Sequence, residues 1–410
     1  MAPDRGSPGP PHPALKRDIG LVLFALYGTG NIIGAGIYVL VGEVAGAAGT
    51  LAPLAFVIAA IVAGLTGLSY GELAARYPVA AGEAVYVSAA FQRRWLAVAA
   101  GLLIAAAGLV SAATMARGFV GYFQLFVPLH EVLIITGLVS ALTVLAVRGI
   151  AESARFAAVL TLVEAGGLLW IAAVAAPNLP TLAQLPAAAL LQPGEPVWSG
   201  VFTGVFIAFF AFIGFEDMVS IAEEVKDPAR TIPRGIVLAF ALASTLYLLV
   251  VTVAIATLPP AELAQSEAPL AAVYRAATGQ PAVFIGLIGI VAVVNGALIQ
   301  IIKGARVFYG MSNNGWLPTF LGTVSPRTQT PVTATLVAGG SVWLLALLLP
   351  LVRLAELTSA CVLIVFILVN LALLRIRRAQ PAAAERRGLP LWVPALGAAC
   401  SAGILIGGLL

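Results

Sequence analysis

Long apolar runs constrain this 410-residue chain more than any other feature. Eleven segments are long and apolar enough to be read as membrane spans, because a helix needs about 20 apolar residues to cross a bilayer. Charged residues make up only 10% of the chain, against roughly 25% in soluble domains, and the mean hydropathy is +1.03. The predicted spans are 19–42, 49–74, 94–127, 131–148, 153–176, 199–224, 233–258, 281–311, 331–350, 354–375 and 390–410.

Helices are the secondary structure that these runs predict, since an open sheet in lipid leaves backbone groups unpaired. The short alternating segments of a β-barrel are absent. The expected fold class is therefore an all-α polytopic membrane protein. Its net charge of +4 is spread between the apolar runs, so it does not indicate nucleic-acid binding. Cys361 and Cys400 lie in apolar runs and indicate packing, so we expect no metal site and no cofactor.

The distribution of basic residues predicts the orientation. Residues 1–18 are polar and proline-rich with no signal-peptide core, so we expect a disordered cytoplasmic tail. With that tail inside, 18 of the 22 Lys and Arg residues fall on the cytoplasmic side, whereas the outer loops hold only Arg275 and Arg353. The positive-inside rule then favours a cytoplasmic N-terminus in an inner or plasma membrane.

Two spans carry glycine at matching depths. An Ile-Gly pair lies about fifteen residues into span one, ending at Gly34, and another lies at the same depth of span six, ending at Gly214. Because five spans separate them, the two enter from opposite sides, which is typical of inverted-topology repeats with broken helices. Close helix packing through small residues is the alternative. The predicted divisions are a first repeat at 19–176, an outer loop at 177–198, a second repeat at 199–375, and a cytoplasmic loop with one further helix at 376–410.

Broken helices offer a binding site for a zwitterion. The N-terminus of a half-helix presents free N–H groups to a carboxylate, and a C-terminal end presents free carbonyls to an ammonium group. Phe210 is also a candidate gate, with core packing as the alternative. The candidate substrate-binding residues are Gly34 at the first break, Ala35, Gly36 and Ile37 through their amides, and Ile32, Phe210, Ala211 and Ile213 through their carbonyls.

Several ordered motifs resemble one known family. They are residues 28–37, 69–73 with Pro78 and Gly82, 152–156, 209–216, 222–228 with Arg230, Ile232 and Pro233, Arg306 and Met311, 314–318, and 330–331. Together they resemble the amino acid–polyamine–organocation superfamily, most closely its bacterial cationic-amino-acid-transporter-type permeases. The resemblance implies five-plus-five inverted helices, alternating access, and substrate held by the unwound parts of helices one and six. Twelve spans are usual in that family, whereas eleven are predicted here.

A second departure from the family concerns ion coupling. Where the resembled permeases carry a lysine in the fifth helix, the matching position here is Glu164. An acid at this depth is costly and is a functional candidate by default. Three roles stay open: a proton carrier, since desolvation favours the neutral carboxyl; an ion pair with Lys303; and a sodium ligand. For Asn295, in span eight, two interpretations stay open: it faces the same region as Glu164, or it makes an interhelical hydrogen bond.

The function predicted from these features is secondary active transport of amino acids or related amines, with proton symport first. Exchange and sodium symport are the alternatives, and a sensor or channel on the same fold is more remote. An enzyme is disfavoured because both histidines, His12 and His130, lie outside the predicted spans. Glu216, just beyond the sixth-span break, is a candidate contact for a cationic substrate. The expected partners are the amino acid, protons or sodium, and the bilayer.

Overall fold

The computed structural model describes residues 17–78, 82–149, 154–184, 195–313, 315, 317–379 and 388–409. Within these ranges the secondary structure is helical, apart from one isolated bridge between Ile19 and Val225. Short 3-10 helices cover Gly49–Leu51, Ala176–Gln184, Phe215–Glu224 and Thr319–Gly322. The α-helices are α1 (Leu21–Ala48), α2 (Ala52–Arg76), α3 (Gly82–Phe91), α4 (Arg94–Gln124), α5 (Glu131–Val147), α6 (Ala154–Ala175), α7 (Glu195–Ala211), α8 (Pro228–Thr257), α9 (Pro260–Ala264), α10 (Pro269–Thr278), α11 (Val283–Asn313), α12 (Val332–Leu348), α13 (Leu351–Ala379) and α14 (Trp392–Leu409).

The apolar helices occupy all eleven predicted spans. By length and composition, seven helical stretches of the described chain can cross a membrane, and four shorter apolar helices cover 21–34, 131–147, 332–348 and 392–408. A 17-residue helix is about 26 Å long, close to the roughly 30 Å hydrocarbon core. The prediction of an all-helical polytopic protein is therefore confirmed.

Some loops contain helices that the apolar pattern did not predict. α3 lies between spans two and three, and α9 and α10 lie between spans seven and eight. Each has at most ten residues, too few to give an apolar run of spanning length. At the end of the predicted tail, the Asp18 amide donates to the Glu224 carbonyl (3.0 Å) and the Lys226 amide to the Ile19 carbonyl (2.9 Å). Residues 18 and 19 are therefore held against the end of span six.

Parts of the predicted divisions and motifs lie outside the described residues. These are residues 1–16 of the tail, 185–194 of the outer loop, 380–387 of the cytoplasmic loop, and positions 152, 153, 314 and 316 of the family-like motifs.

Both predicted helix breaks are present. Inside α1, Gly34 has φ 22° and ψ −145°, so the helical path is interrupted there. In span six, α7 ends at Ala211 and a 3-10 helix begins at Phe215, with Gly214 between them at φ 128°. Residues other than glycine rarely adopt these positive φ values. Helices one and six are thus discontinuous, as expected.

Aromatic side chains fill the bundle around span six. Phe212 meets Phe56 of α2 and Tyr247 of α8 in edge-to-face pairs, with ring centroids 6.2 and 5.2 Å apart. Phe215 meets Tyr70 of α2 in the same way at 5.5 Å. Such pairs add to the stabilisation from burial. The broken span is therefore held by fixed packing on both sides of its interruption.

Candidate functional site

The two breaks lie directly against each other. A Cβ atom added to Gly36 would lie 2.7 Å from the Cα of Ala211, and one added to Gly214 would lie 2.2 Å from the carbonyl oxygen of Asn31. Both separations are below van der Waals contact, so only glycine permits this approach. The absence of side chains at Gly36 and Gly214 therefore allows the interrupted parts of α1 and span six to come together.

Free carbonyl groups of both breaks converge on one hydroxyl. The Tyr247 hydroxyl of α8 lies 2.5 Å from the Ile32 oxygen, 3.2 Å from the Ile33 oxygen and 2.8 Å from the Ala211 oxygen. A phenol carries a single proton, so it can donate fully to only one of the three. The carbonyls of Ile32 and Ala211 were among the predicted ligands, whereas Ile33 and Tyr247 were not. A tyrosine in an apolar span was the available signal, since buried tyrosine hydroxyls need partners.

There is space beside Gly34 at the first break. A Cβ atom added to Gly34 would meet nothing within 4 Å, although the residue is buried. The predicted carboxylate ligands, the amides of Ala35, Gly36 and Ile37, begin the second half of α1 immediately beyond this point. Amides at the start of a helical segment have no partner within that segment. The geometry suits an anionic group placed at this end.

The other predicted carbonyls of span six have different surroundings. The Phe210 carbonyl accepts the Ile213 amide (3.1 Å), so a turn already engages it. Phe210 itself is buried, and Ile213 is partly buried. The role of Phe210 as a gate and that of Ile213 as a ligand stay predictions.

A carboxylate closes the amide side of the sixth-span break. The Gly214 amide donates to Oε2 of Glu216 over 2.8 Å, and the Asp217 amide donates to the Gly214 carbonyl over 3.1 Å. Glu216 is only 2% exposed. Because the Glu216 carboxyl group accepts this hydrogen bond, the Gly214 amide is not available to a ligand.

Glu164 lies on α6 beside the first half of α1. The Thr161 hydroxyl, one turn earlier on α6, donates to the Leu26 carbonyl of α1 over 3.1 Å. The main-chain carbonyl of Glu164 accepts a hydrogen bond from the Tyr38 hydroxyl over 2.9 Å. The Glu164 side chain is 1% exposed and is within electrostatic range of the Tyr247 hydroxyl. Glu164 therefore lies beside α1 and near Tyr247, and its role in ion coupling stays a prediction.

Lys303 has a different acidic partner from the one considered in the sequence. Its ammonium group makes an ion pair with Oδ1 of Asp217, and the Gln300 amide donates to Oδ2 of the same carboxylate (3.1 Å). The proposed pair with Glu164 is therefore replaced by a pair with Asp217, which lies three residues past Gly214. Asn295 is partly buried on α11. It is five residues from Gln300, about 140° around the helix, and thus on another face.

Metal-ligating side chains are not clustered in the described ranges. In them, no group of three or more His, Cys, Asp and Glu side chains is placed to hold a metal ion. The site is instead built mostly of main-chain groups, with single polar side chains around it.

Comparisons with known proteins agree with this picture. A family model described as amino acid permease matches residues 19–409. The branched-chain amino acid permease BcaP of Bacillus subtilis is 32% identical over 393 residues, which are 90% of this chain and 82% of that protein. The vacuolar cationic amino acid transporter 2 of Arabidopsis thaliana is 31% identical over 375 residues, which are 86% of this chain and 59% of that protein.

Solved structures show the same fold. A mutant of the manganese transporter of Eremococcus coleocola superposes with a TM-score of 0.63 at 15% identity, covering 94% of this chain and 86% of that one. At this identity the likeness concerns the fold alone. The five-plus-five inverted-repeat transporter fold expected from the sequence is thereby confirmed.

Proposed function

Because the chain belongs to the amino acid permease family, we propose that it is a secondary active transporter that moves amino acids by alternating access. The chain is a multi-pass membrane protein related to transporters and not to enzymes. We place it in the plasma or inner membrane with the N-terminus in the cytoplasm, since that orientation puts most basic residues inside. Residues 19–176 and 199–375 are the two inverted repeats of the proposed transporter.

The substrate binds at the two breaks through its head group. The α-carboxylate accepts from the amides that follow Gly34, where the dipole of the second half of α1 favours an anion. The ammonium group donates to the carbonyls of Ile32, Ile33 and Ala211. The single observation that carries this proposal is the convergence of these three oxygens on one hydroxyl proton, which leaves acceptor capacity for a cation.

Glu164 is the proposed proton carrier. Its carboxyl group is buried within the bundle, and an acid at this depth is a functional candidate by default. The pairing of Lys303 with Asp217 removes the reason to treat Lys303 as the permanent partner of Glu164. Lys303 and Asn295 were also predicted for ion coupling, and that role stays a prediction for both.

Uptake by proteoliposomes tests the proposal. An inward proton gradient drives accumulation of a labelled neutral amino acid, and Glu164→Gln abolishes gradient-driven accumulation while leaving exchange of internal for external substrate. Glu262→Gln, an exposed acid on α9, is the matched control. Proton-driven accumulation in Glu164→Gln would remove Glu164 from the mechanism. Dependence on a sodium gradient would favour sodium symport, and flux seen only with substrate on both sides would favour exchange.

A further inference from the structure

A groove at the N-terminal end of α4 opens to the outside of the bundle. Its volume is about 660 Å³, and its lining residues are Arg93, Arg94, Trp95, Val98, Ala99 and Leu102. The last four share one face of the helix, because they lie three, four and seven residues from Trp95. Both arginines are exposed, and Trp95 and Leu102 are 62% and 39% exposed. The groove is therefore basic at one end and apolar along its length.

Further positive charge lies beside the basic end of this groove. Helix α13 packs against α3 and α4, and its last turns carry Arg375 and Arg378, which are both exposed. The Arg375 guanidinium group lies over the ring of Phe91, 5.5 Å from the ring centroid. Phe91 ends α3 and precedes Arg93 by two residues. The end of α13 and the start of α4 thus bring their arginines to the same corner of the molecule.

Acids of the same helices do not neutralise this corner. Across α3 and α4 the sequence has one acid, Glu83, which accepts a hydrogen bond from the Tyr70 hydroxyl over 3.2 Å. The one acid of α13, Glu356, lies near the opposite end of that helix, about 30 Å from Arg375 by helical rise. Within the described part of the chain, neither Arg93 nor Arg375 forms an ion pair. The corner therefore keeps an excess of positive charge.

We propose that this groove binds an anionic phospholipid. The phosphate headgroup lies against Arg93 and Arg94, and an acyl chain lies along Val98 and Leu102. Guanidinium groups bind phosphate oxygens through charge-assisted hydrogen bonds, and Arg375 adds to the attraction from the neighbouring helix end. The site is separate from the two helix breaks and does not depend on which substrate is transported.

The order of residues along α4 indicates a lipid as the source of the anion. Charged side chains come first, Trp95 follows at the start of the helix, and the apolar residues come after it. Arginine in the headgroup layer, tryptophan at its border and aliphatic side chains in the hydrocarbon layer form the usual order at a membrane surface. From Arg94 to Leu102 the helix rises about 12 Å, so the apolar face contacts the upper part of an acyl chain. A soluble phosphate would use only the basic end.

Quenching of tryptophan fluorescence by brominated lipids tests this proposal on the full chain. The protein is placed in mixed bilayers of phosphatidylcholine and phosphatidylglycerol, with bromine on the acyl chains of one lipid or the other. The chain has six tryptophans, so the signal of Trp95 is the difference between a protein and its Trp95→Phe counterpart. At Trp95 we expect phosphatidylglycerol to bind at least about fivefold more tightly than phosphatidylcholine, which corresponds to ~1 kcal/mol. Equal binding of the two lipids would overturn the inference.

Variants of the two arginines assign the preference to the groove. In the double variant Arg93→Gln/Arg94→Gln the preference at Trp95 falls to about one, whereas Arg93→Lys/Arg94→Lys keeps the charge and keeps the preference. The matched control is Arg148→Gln/Arg234→Gln, which removes the same charge from exposed positions at the end of α5 and in α8 and leaves the preference unchanged.

Two results with these variants would contradict the inference. A preference that persists in Arg93→Gln/Arg94→Gln would show that the groove does not select the headgroup. An equal loss in the control would show that total charge, and not this corner, attracts the lipid. If the double variant does not fold, the single variant Arg93→Gln replaces it, with an expected fall of about twofold in the preference.

Discussion

The breaks of span one and span six look alike in sequence and differ in their surroundings. A Cβ atom added to Gly34 would meet open space, whereas one added to Gly214 would collide with the α1 backbone. Two residues beyond Gly34 the chain has Gly36, and two residues beyond Gly214 it has Glu216, which caps the break. Space thus lies beside the first break, whereas the Glu216 carboxyl group caps the second.

This difference assigns distinct tasks to the two breaks. In the proposed mechanism, span one binds the substrate carboxylate, and both spans offer carbonyls to the ammonium group. Span six, capped by Glu216, also packs against α1 and holds it in position. A symmetric pair of helix ends would instead present two competing anion sites within a few ångströms.

The largest expected effect comes from the closed break. Gly214→Ala places a methyl group 2.2 Å from the Asn31 carbonyl oxygen at φ 128°, so we expect a loss of more than about 3 kcal/mol or a failure to fold. In Gly34→Ala the methyl group has space and only the backbone is strained, so we expect this variant to fold better than Gly214→Ala. We also expect it to lose the stabilisation that bound substrate gives to the wild-type protein. Thermal unfolding in detergent measures both.

The control for this pair is Gly101→Ala. Gly101 lies in α4, where an added Cβ atom would meet nothing within 4 Å, so this variant should keep wild-type stability or gain slightly. If Gly214→Ala were as stable as Gly101→Ala, the tight contact between the breaks would be wrong.

The sequence predicted much of this arrangement because its strongest signals are local. Apolar length predicted the spans, and glycine in matching positions predicted both interruptions. Tyr247 and the Asp217–Lys303 pair were missed because they depend on contacts between α8, α11 and span six. Such contacts join residues far apart in sequence, and no spacing rule within one helix reports them. The sequence identifies Lys303 as unusual in an apolar span, but its partner Asp217 is evident only from the packed structure.

An intermediate effect is expected at the shared hydroxyl. Tyr247→Phe removes the donor that joins Ile32 and Ala211, which costs about one hydrogen bond, ~1 kcal/mol, and raises the KM for uptake about fivefold to tenfold. Tyr86→Phe is the matched control, because the buried Tyr86 hydroxyl has no hydrogen-bond partner within the described chain. Equal KM values for the two variants would show that the hydroxyl does not organise the carbonyls.

The smallest effect is expected at the cap of the sixth break. Glu216→Gln keeps an oxygen for the Gly214 amide and changes only the strength of that hydrogen bond, so stability falls by less than about 1 kcal/mol. Thermal unfolding measures this change, and Glu262→Gln, at an exposed acid, is the control. A rise in stability would indicate that the carboxylate strains the break and does not cap it.

The most direct test of the central claim uses ligands that present one half of the head group at a time. Thermal unfolding of the purified protein is compared with leucine, with 3-methylbutylamine, which lacks the carboxylate, and with 4-methylpentanoate, which lacks the ammonium group. If amides of α1 and carbonyls of both breaks bind the two charges together, leucine raises the unfolding temperature and neither analogue does so at the same concentration. Equal stabilisation by either analogue would contradict the account.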